Sequence, residues 1–256
     1  MSKKNIKIFL NPKERIEHLK KLSKLKGLNL NSELENSAYT PISLTLTPNE
    51  LKPILKKRQE TLKKILKEAG IDSYDPGSAP FSPDIALEAR PDQVYAEDFK
   101  RVASAKYFVG HSILPSTGVG AEWEIASTLG KVSVILHDKN IRTTRLQPSR
   151  TINLAYENFE KQLEDFKKVF QLLQEFDVAV GFNDKKPALI GIHKNTKKII
   201  DLEEEVYDKF PHLKYEFNGA KPIVKFEVKN SEIFYENKTQ EHALNVKQNS
   251  YLSLKE

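Results

Sequence analysis

The stretch from Tyr107 to Leu136 constrains this chain more than any other. An apolar run, Tyr107-Phe108-Val109, feeds a turn rich in small residues that ends Ser116-Thr117-Gly118-Val119-Gly120. A helical segment follows over about 121–129 and closes at Gly130, and a second apolar run, Val132 to Leu136, comes directly after. Two short apolar runs joined by a helix cannot form a tight hairpin. They read as neighbouring parallel strands, buried on both faces by helices.

The flanks repeat the pattern. Pro41-Ile42-Ser43-Leu44-Thr45-Leu46 reads as a strand, and Thr47-Pro48-Asn49-Glu50 as a capping box. The helix that follows carries Leu51, Ile54, Leu55, Leu62, Ile65, Leu66 and Ala69 on one face and stops at Gly70. Residues 75–92 read as a long loop, and a helix is expected from Val94 to Ala105. Helix 155–175 shows Phe159, Leu163, Phe166, Phe170 and Leu173 as one apolar seam. Residues 41–176 are therefore expected to form an α/β unit, a Rossmann-like or flavodoxin-like parallel sheet flanked by helices. Residues 177–256 change character. Strand-like runs at Val178–Phe182, Ala188–Ile192, Ile223–Val228 and Ile233–Tyr235, with a short helix near 201–209, suggest a small α+β extension ending in a polar tail from about Asn237. Residues 5–10 read as a strand, 12–27 as a helix and 28–40 as a polar linker, so 1–40 is read as an N-terminal arm and linker.

Charge is placed unevenly. Residues 1–30 hold nine Lys/Arg against Glu14 and Glu17, which exceeds the +6 of the whole 256-residue chain. Such an arm could touch nucleic acid or an acidic partner, or simply be a solvated helix. Phe9 is its one aromatic residue. The chain has no cysteine, which removes disulfides, thiolate metal sites and a thiol nucleophile. No apolar run approaches the roughly 20 residues of a membrane span, and a cytoplasmic address is the default expectation. No H-E-x-x-H, EF-hand, Walker or G-x-S-x-G sequence is present, so neither a metal nor another cofactor is expected.

The chemistry concentrates at the turn. Free N–H groups at a helix start favour an anion, and glycines let a ligand approach the backbone. Ser116 and Thr117 add hydroxyls. Glu122, expected in the first helical turn, would be held ionised there and could attack an electrophilic carbon. A turn that merely packs closely, with Glu122 as an ordinary first-turn acid, is the open alternative. His111 could bond a substrate or be structural. Trp123 reads as a packing or subunit-interface residue. Arg142, Arg145 and Arg150 could reach a phosphate or form a solvated loop.

Residues 115–130, PSTGVGAEWEIASTLG, resemble the signature of the nucleoside 2-deoxyribosyltransferase-like superfamily. They are most similar to its 2′-deoxynucleoside 5′-monophosphate N-glycosidase branch, with its P-S-x-G-V-G-x-E loop. Asp98, seven residues before Ala105, matches an acid of that family. The resemblance implies cleavage or exchange of an N-glycosidic bond in a nucleoside or nucleoside 5′-monophosphate. Glu122 would be the nucleophile and form a glycosyl ester. Asp98 would orient the sugar or act as acid–base partner, the alternative being a surface acid beside Lys100 and Arg101. Ser116, Thr117, Gly118 and Gly120 would hold a 5′-phosphate. Glu124 lies roughly 200° round the helix from Glu122, and the loop spacing selects Glu122. A homo-oligomer is implied as well. The competing reading is a sensor that binds a nucleotide or sugar phosphate without turnover.

Overall fold

The computed structural model describes residues 5–25, 34–43, 47–78, 89–113, 116–139, 147–216, 223–229 and 232–237. Strand β1 (Ile6–Leu10) and helix α1 (Pro12–Leu25) open the chain. The α/β unit then runs β2 (Leu34–Tyr39), α2 (Lys52–Glu68), β3 (Asp72–Tyr74), α3 (Pro91–Ser104), β4 (Ala105–Ser112), α4 (Thr117–Thr128), β5 (Val132–Asp138), β6 (Thr151–Tyr156) and α5 (Leu163–Gln174). Its five strands form one sheet in the order β3-β2-β4-β5-β6, every neighbouring pair parallel. Counted within that sheet the order is 2-1-3-4-5, as in flavodoxin-like folds. The order reverses between β2 and β4, so a crevice opens beyond their carboxyl ends.

Strand periodicity sorts the core. Tyr107 and Val109 point with Val134 and Leu136 toward one face, where Leu62, Ile65 and Leu66 of α2 meet Phe166, Phe170 and Leu173 of α5. Phe108 and Ile135 point the other way, against Val102 of α3 and Trp123 and Ala126 of α4. Each large side chain so buried contributes about 1.5–3 kcal/mol.

The extension holds β7 (Phe176–Asn183), β8 (Lys186–His193), β9 (Ile199–Asp201), α6 (Leu202–Lys209), β10 (Ile223–Lys229) and β11 (Glu232–Asn237). Strand β1 pairs with β7, giving an antiparallel sheet β1-β7-β8-β9, while β10 and β11 form a separate hairpin. The two sheets are joined at Gly130. Its φ of +68° suits glycine, and a Cβ there would lie 2.5 Å from Val180 Cγ2. The buried Arg15 of α1 donates from Nη1 to the Gly130 carbonyl at 3.2 Å. Buried Lys106 donates to the Phe176 carbonyl at 3.2 Å. At the far edge, Tyr207 of α6 donates to the Asn153 carbonyl at 2.8 Å and Lys214 bridges Leu154, so strand β6 is not left open.

Several expectations are corrected. The first strand of the parallel sheet is Leu34–Tyr39, in the segment expected as linker, and residues 41–43 are irregular. Pro41 has no N–H for a ladder, and the polar Asn36 and Ser37 hid the strand. Residues 44–46 lie outside the described residues. Helix α2 starts at Lys52 with Leu51 as an N-cap that makes no side-chain bond, so the expected capping box does not cap it. Strands β3, β6 and β9 were not expected. Asn153 and Thr151 gave β6 the look of a loop, although all six of its residues are buried. Helix α5 begins at Leu163, after a 3-10 turn at Glu160–Gln162. Gly27 and the tail beyond Asn237 lie outside the described residues.

Candidate active site

Helix α4 begins four residues earlier than expected. Ser116 is its N-cap, in extended conformation, and its Oγ accepts from the Val119 N–H at 3.4 Å. Thr117, Gly118 and Gly120 are therefore the opening helical residues, all exposed, and Glu122 sits in the second turn rather than the first. Neither glycine has a positive φ. A Cβ at Gly120 would meet nothing within 4 Å, and one at Gly118 only the Ser116 Oγ at 3.9 Å. Packing does not demand glycine at either place, although glycine weakens a helix by about 1 kcal/mol relative to alanine. What these two positions provide is bare backbone at a helix start; the Gly120 N–H closes the first turn onto the Ser116 carbonyl at 3.0 Å, and Thr117 and Gly118 come before that first intrahelical bond.

Glu122 and Asp98 meet at one hydroxyl. The Tyr39 hydroxyl lies 2.8 Å from Glu122 Oε1 and 3.1 Å from Asp98 Oδ1. Tyr39 ends β2, and its fully buried ring stacks between Tyr74 at 5.8 Å and Phe108 at 6.0 Å. The chain reversal between β2 and β4 places this hydroxyl at the sheet edge, facing the helices that carry the two acids. Burial pushes the Glu122 carboxyl up to about 8; the negative charge of Asp98 adds to this, and the Tyr39 hydrogen bond opposes it. Burial also raises Asp98, against the same Tyr39 bond and with a smaller push from Glu97. Burial and the two acids push the phenol itself far upward, so it stays protonated. The phenol has a single proton for the two carboxylates, and burial raises both acids, so a proton on one of them lets Tyr39 donate to one and accept from the other. The expectation of a permanently ionised Glu122 is thereby corrected: desolvation outweighs the helix N-terminus, which lies more than a turn away.

A small hollow, with space for about one water, is lined by Pro41, Ile42, Ser43, Leu55, Gln59, His111 and Ile113. It starts two residues beyond Tyr39, on the α2 side of the sheet; Glu122 is not one of its lining residues. His111 does not join the carboxylates. At the end of β4 it pairs through Nε2 with the Tyr156 hydroxyl at 2.5 Å, which also receives Arg58 Nη1 at 3.3 Å. Phe159 packs on the imidazole with ring centres 4.9 Å apart. Burial, then the positive charge of Arg58, then His137, hold the His111 pKa well below the ordinary range.

Trp123 is a buried packing residue whose Nε1 donates to Thr151 Oγ1 at 3.0 Å. Burial lowers the Arg150 pKa and nearby Glu124 raises it. Arg142 and Arg145 lie outside the described residues. Sequence reasoning did not single out Tyr39, Arg58, Gln59 or Tyr156. An Ala-Tyr pair closing a polar run was the only local sign of Tyr39, and the others emerge only when α2 and β6 meet β4.

No protein-family model matches this chain, and no curated protein does. Among solved structures, the chain is similar to the Clostridium botulinum CMP N-glycosidase BcmB, at 20% identity. The likeness covers 52% of this chain and 98% of that one, with a TM-score of 0.39. Likeness of this degree assigns no function; what the chain does must be read from its own side chains.

Proposed function

We propose that the chain cleaves or exchanges the N-glycosidic bond of a nucleoside or nucleoside 5′-monophosphate. The observation that supports this is the Tyr39 hydroxyl held between Glu122 and Asp98 at the switch point of a parallel sheet, where α/β folds bind ligands. Two acids sharing a proton supply the two roles that glycosidic cleavage needs. In the ionised form Glu122 attacks C1′. The bond from C1′ to the base nitrogen breaks as the ester forms, and its electron pair leaves with the base. Asp98, in its protonated form, supplies the proton the departing base requires, or positions the sugar. Water then attacks C1′ and loses its proton to Asp98; the ester breaks, Glu122 is regenerated and the sugar is freed with net retention. A second base in place of water gives exchange. The Ser116 and Thr117 side chains and the backbone at Thr117 and Gly118 would receive a 5′-phosphate at the helix start, with Gly120 leaving room for it beside the backbone.

The test is a panel of nucleosides, deoxynucleosides and their monophosphates, with released base separated and measured. Base release by the wild type that disappears in Glu122→Ala is the expected result; release that persists in that variant would remove Glu122 from the mechanism. The rise of the Glu122 pKa to about 8 favours one competing reading, a sensor that binds the same ligand and leaves it intact. Calorimetry with the ligand recovered unchanged at pH 9, where Glu122 is ionised, would select the sensor.

A further inference from the structure

We infer that Tyr74 and Arg101 are positioning residues of the acid site: with Phe108 they clamp the Tyr39 ring in a stack that crosses three strands and one helix, and so hold its hydroxyl where Glu122 and Asp98 both reach it. The role in turnover rests on the glycosidase reading; the clamp rests on contacts alone. The parallel register pairs Tyr39 with Tyr74 on one side and with Phe108 on the other. Neighbouring strands lie about 4.8 Å apart, so aromatic residues on one rung and one face come into stacking distance. The ring centres are 5.8 Å apart for Tyr39 and Tyr74 and 6.0 Å for Tyr39 and Phe108, at interplanar angles of 28° and 11°. Offset rings at this spacing attract. Strand β3 is the edge of the sheet, so no further strand covers the outer face of Tyr74. Arg101 of α3 covers it instead, with its guanidinium 4.5 Å from the ring centre. Arg101 Nε in turn donates to Glu97 Oε1 at 2.6 Å, one turn back on the same helix. Helix α3 also carries Asp98. One helix thus supplies both an acid and the cap of the stack that aims the hydroxyl at it. That hydroxyl stands at the far end of its side chain, where a small tilt of the ring becomes a large displacement of the oxygen, and hydrogen bonds weaken steeply with angle and distance. Flat neighbours on both faces remove that tilt. The groups that face Glu122 are Tyr39 and Asp98, those that face Asp98 are Tyr39 and Glu97, and those that face Tyr74 are Arg101, Glu97 and Asp98.

Carbon NMR of protein labelled at the glutamate side-chain carboxyls reads the Glu122 titration directly, with its signal assigned by its loss in Glu122→Gln. Base release over the nucleoside and monophosphate panel is measured in parallel. The Tyr39 bond lowers the Glu122 pKa, so loosening the clamp should raise it. Tyr74→Leu, which removes the ring, is expected to raise it by about half a unit. Tyr74→Phe, which keeps the ring, should titrate as the wild type does. Arg101→Met combined with Glu97→Gln removes the cap from the exposed side of α3 and leaves no unpaired carboxylate beside Asp98; it should move Glu122 the same way by a smaller step. In a Tyr39→Phe background Tyr74→Leu should add nothing, because no hydroxyl remains to be aimed. Turnover by Tyr74→Leu should fall about tenfold in kcat, with KM changed by less than about threefold. A residue that only packs would lower stability and leave the titration in place. A downward shift, as extra water at the site would give, would overturn the proposal. So would an equal shift with and without the Tyr39 hydroxyl, a Tyr74→Phe titration like that of Tyr74→Leu, or a wild-type titration in both the Tyr74→Leu and the Arg101 variants. Base release with a Glu122 titration that ignores Tyr74 and Arg101 would keep the glycosidase reading and remove this one. A titration that follows the clamp in a protein that releases no base would do the reverse.

Discussion

Two tyrosine hydroxyls at the same end of one parallel sheet are held in opposite ways. Tyr39 at the end of β2 faces α3 and α4 and is gripped by two acids, Glu122 and Asp98. Tyr156 at the end of β6 faces the α2 side and is gripped by Arg58 and His111. Both side chains are essentially inaccessible to water. Burial acts on both clusters with one rule, disfavouring charge. It pushes the acids up and the imidazole down, so both ends of the crevice drift toward neutrality near pH 7. The acid end can supply one proton and one carboxylate; the basic end offers directed hydrogen bonds. The proposed function places its chemistry at the first.

The sharpest way to break this division is to remove the acids. Glu122→Ala is expected to lower base release by about 10³-fold or more, and Asp98→Asn by about 10²-fold. Equal effects from Tyr156→Phe on kcat would merge the two ends into one function.

The pH dependence of stability should separate them next, because the signs differ. The folded-state pKa of Glu122 rises from an ordinary 4.5 to about 8. The native state thus binds the proton more tightly, and stability falls as pH rises from about 4.5 through 8. Glu122→Gln should remove a loss of a few kcal/mol over that window, measured by urea unfolding at pH 5 and pH 9. His137, buried under Tyr215 and paired with Asn153 at 2.8 Å, is lowered from 6.5 to about 4 by burial. Here the unfolded state binds the proton more tightly. Stability should fall as pH drops from about 6.5 toward 4, by about 3 kcal/mol at most. A histidine-to-glutamine change at 137 should flatten that acid limb and leave the alkaline limb alone.

A finer test reads the acid pair itself. If Glu122 must ionise to attack, kcat/KM should rise with pH toward about 8. The Tyr39 bond lowers the Glu122 pKa and the Asp98 charge raises it. Tyr39→Phe should therefore move the rising limb to higher pH and Asp98→Asn to lower pH, each by about one unit. Movement in the same direction would show that the acids do not share a proton through Tyr39. The smallest effect is expected at Ser116→Ala. Its capping bond is long, at 3.4 Å, and its loss should cost about 0.5 kcal/mol in stability. A much larger loss of affinity for 5′-monophosphates than for nucleosides would assign the hydroxyl to the phosphate.

The legible parts of this molecule are those whose information is local. The apolar runs at β4 and β5 and the seam of α5 have a period and a hydrophobicity that only a covered parallel sheet satisfies. Strand β6 was hidden because its polar residues are satisfied from outside the strand. Trp123 Nε1 donates to Thr151, Tyr207 donates to the Asn153 carbonyl, and His137 pairs with the Asn153 side chain. Of the candidate site, Glu122 and Asp98 were legible through their motif spacing. Their company was not, since Tyr39 lies 59 residues from Asp98 and 83 from Glu122.

The sequence by itself determined that helices would cover a parallel sheet and that an acid would follow a glycine-bearing helix start. It could do so because side-chain period and backbone freedom are properties of neighbouring residues. Only the tertiary structure decided that Glu122 shares a buried hydroxyl with Asp98, that its proton is held well above the ordinary carboxylate range, and that His111 belongs to Arg58 and Tyr156. Ionisation depends on how much water and which charges surround a group, and those are assembled from β2, α2, α3, β4, α4 and β6 only when the chain is folded.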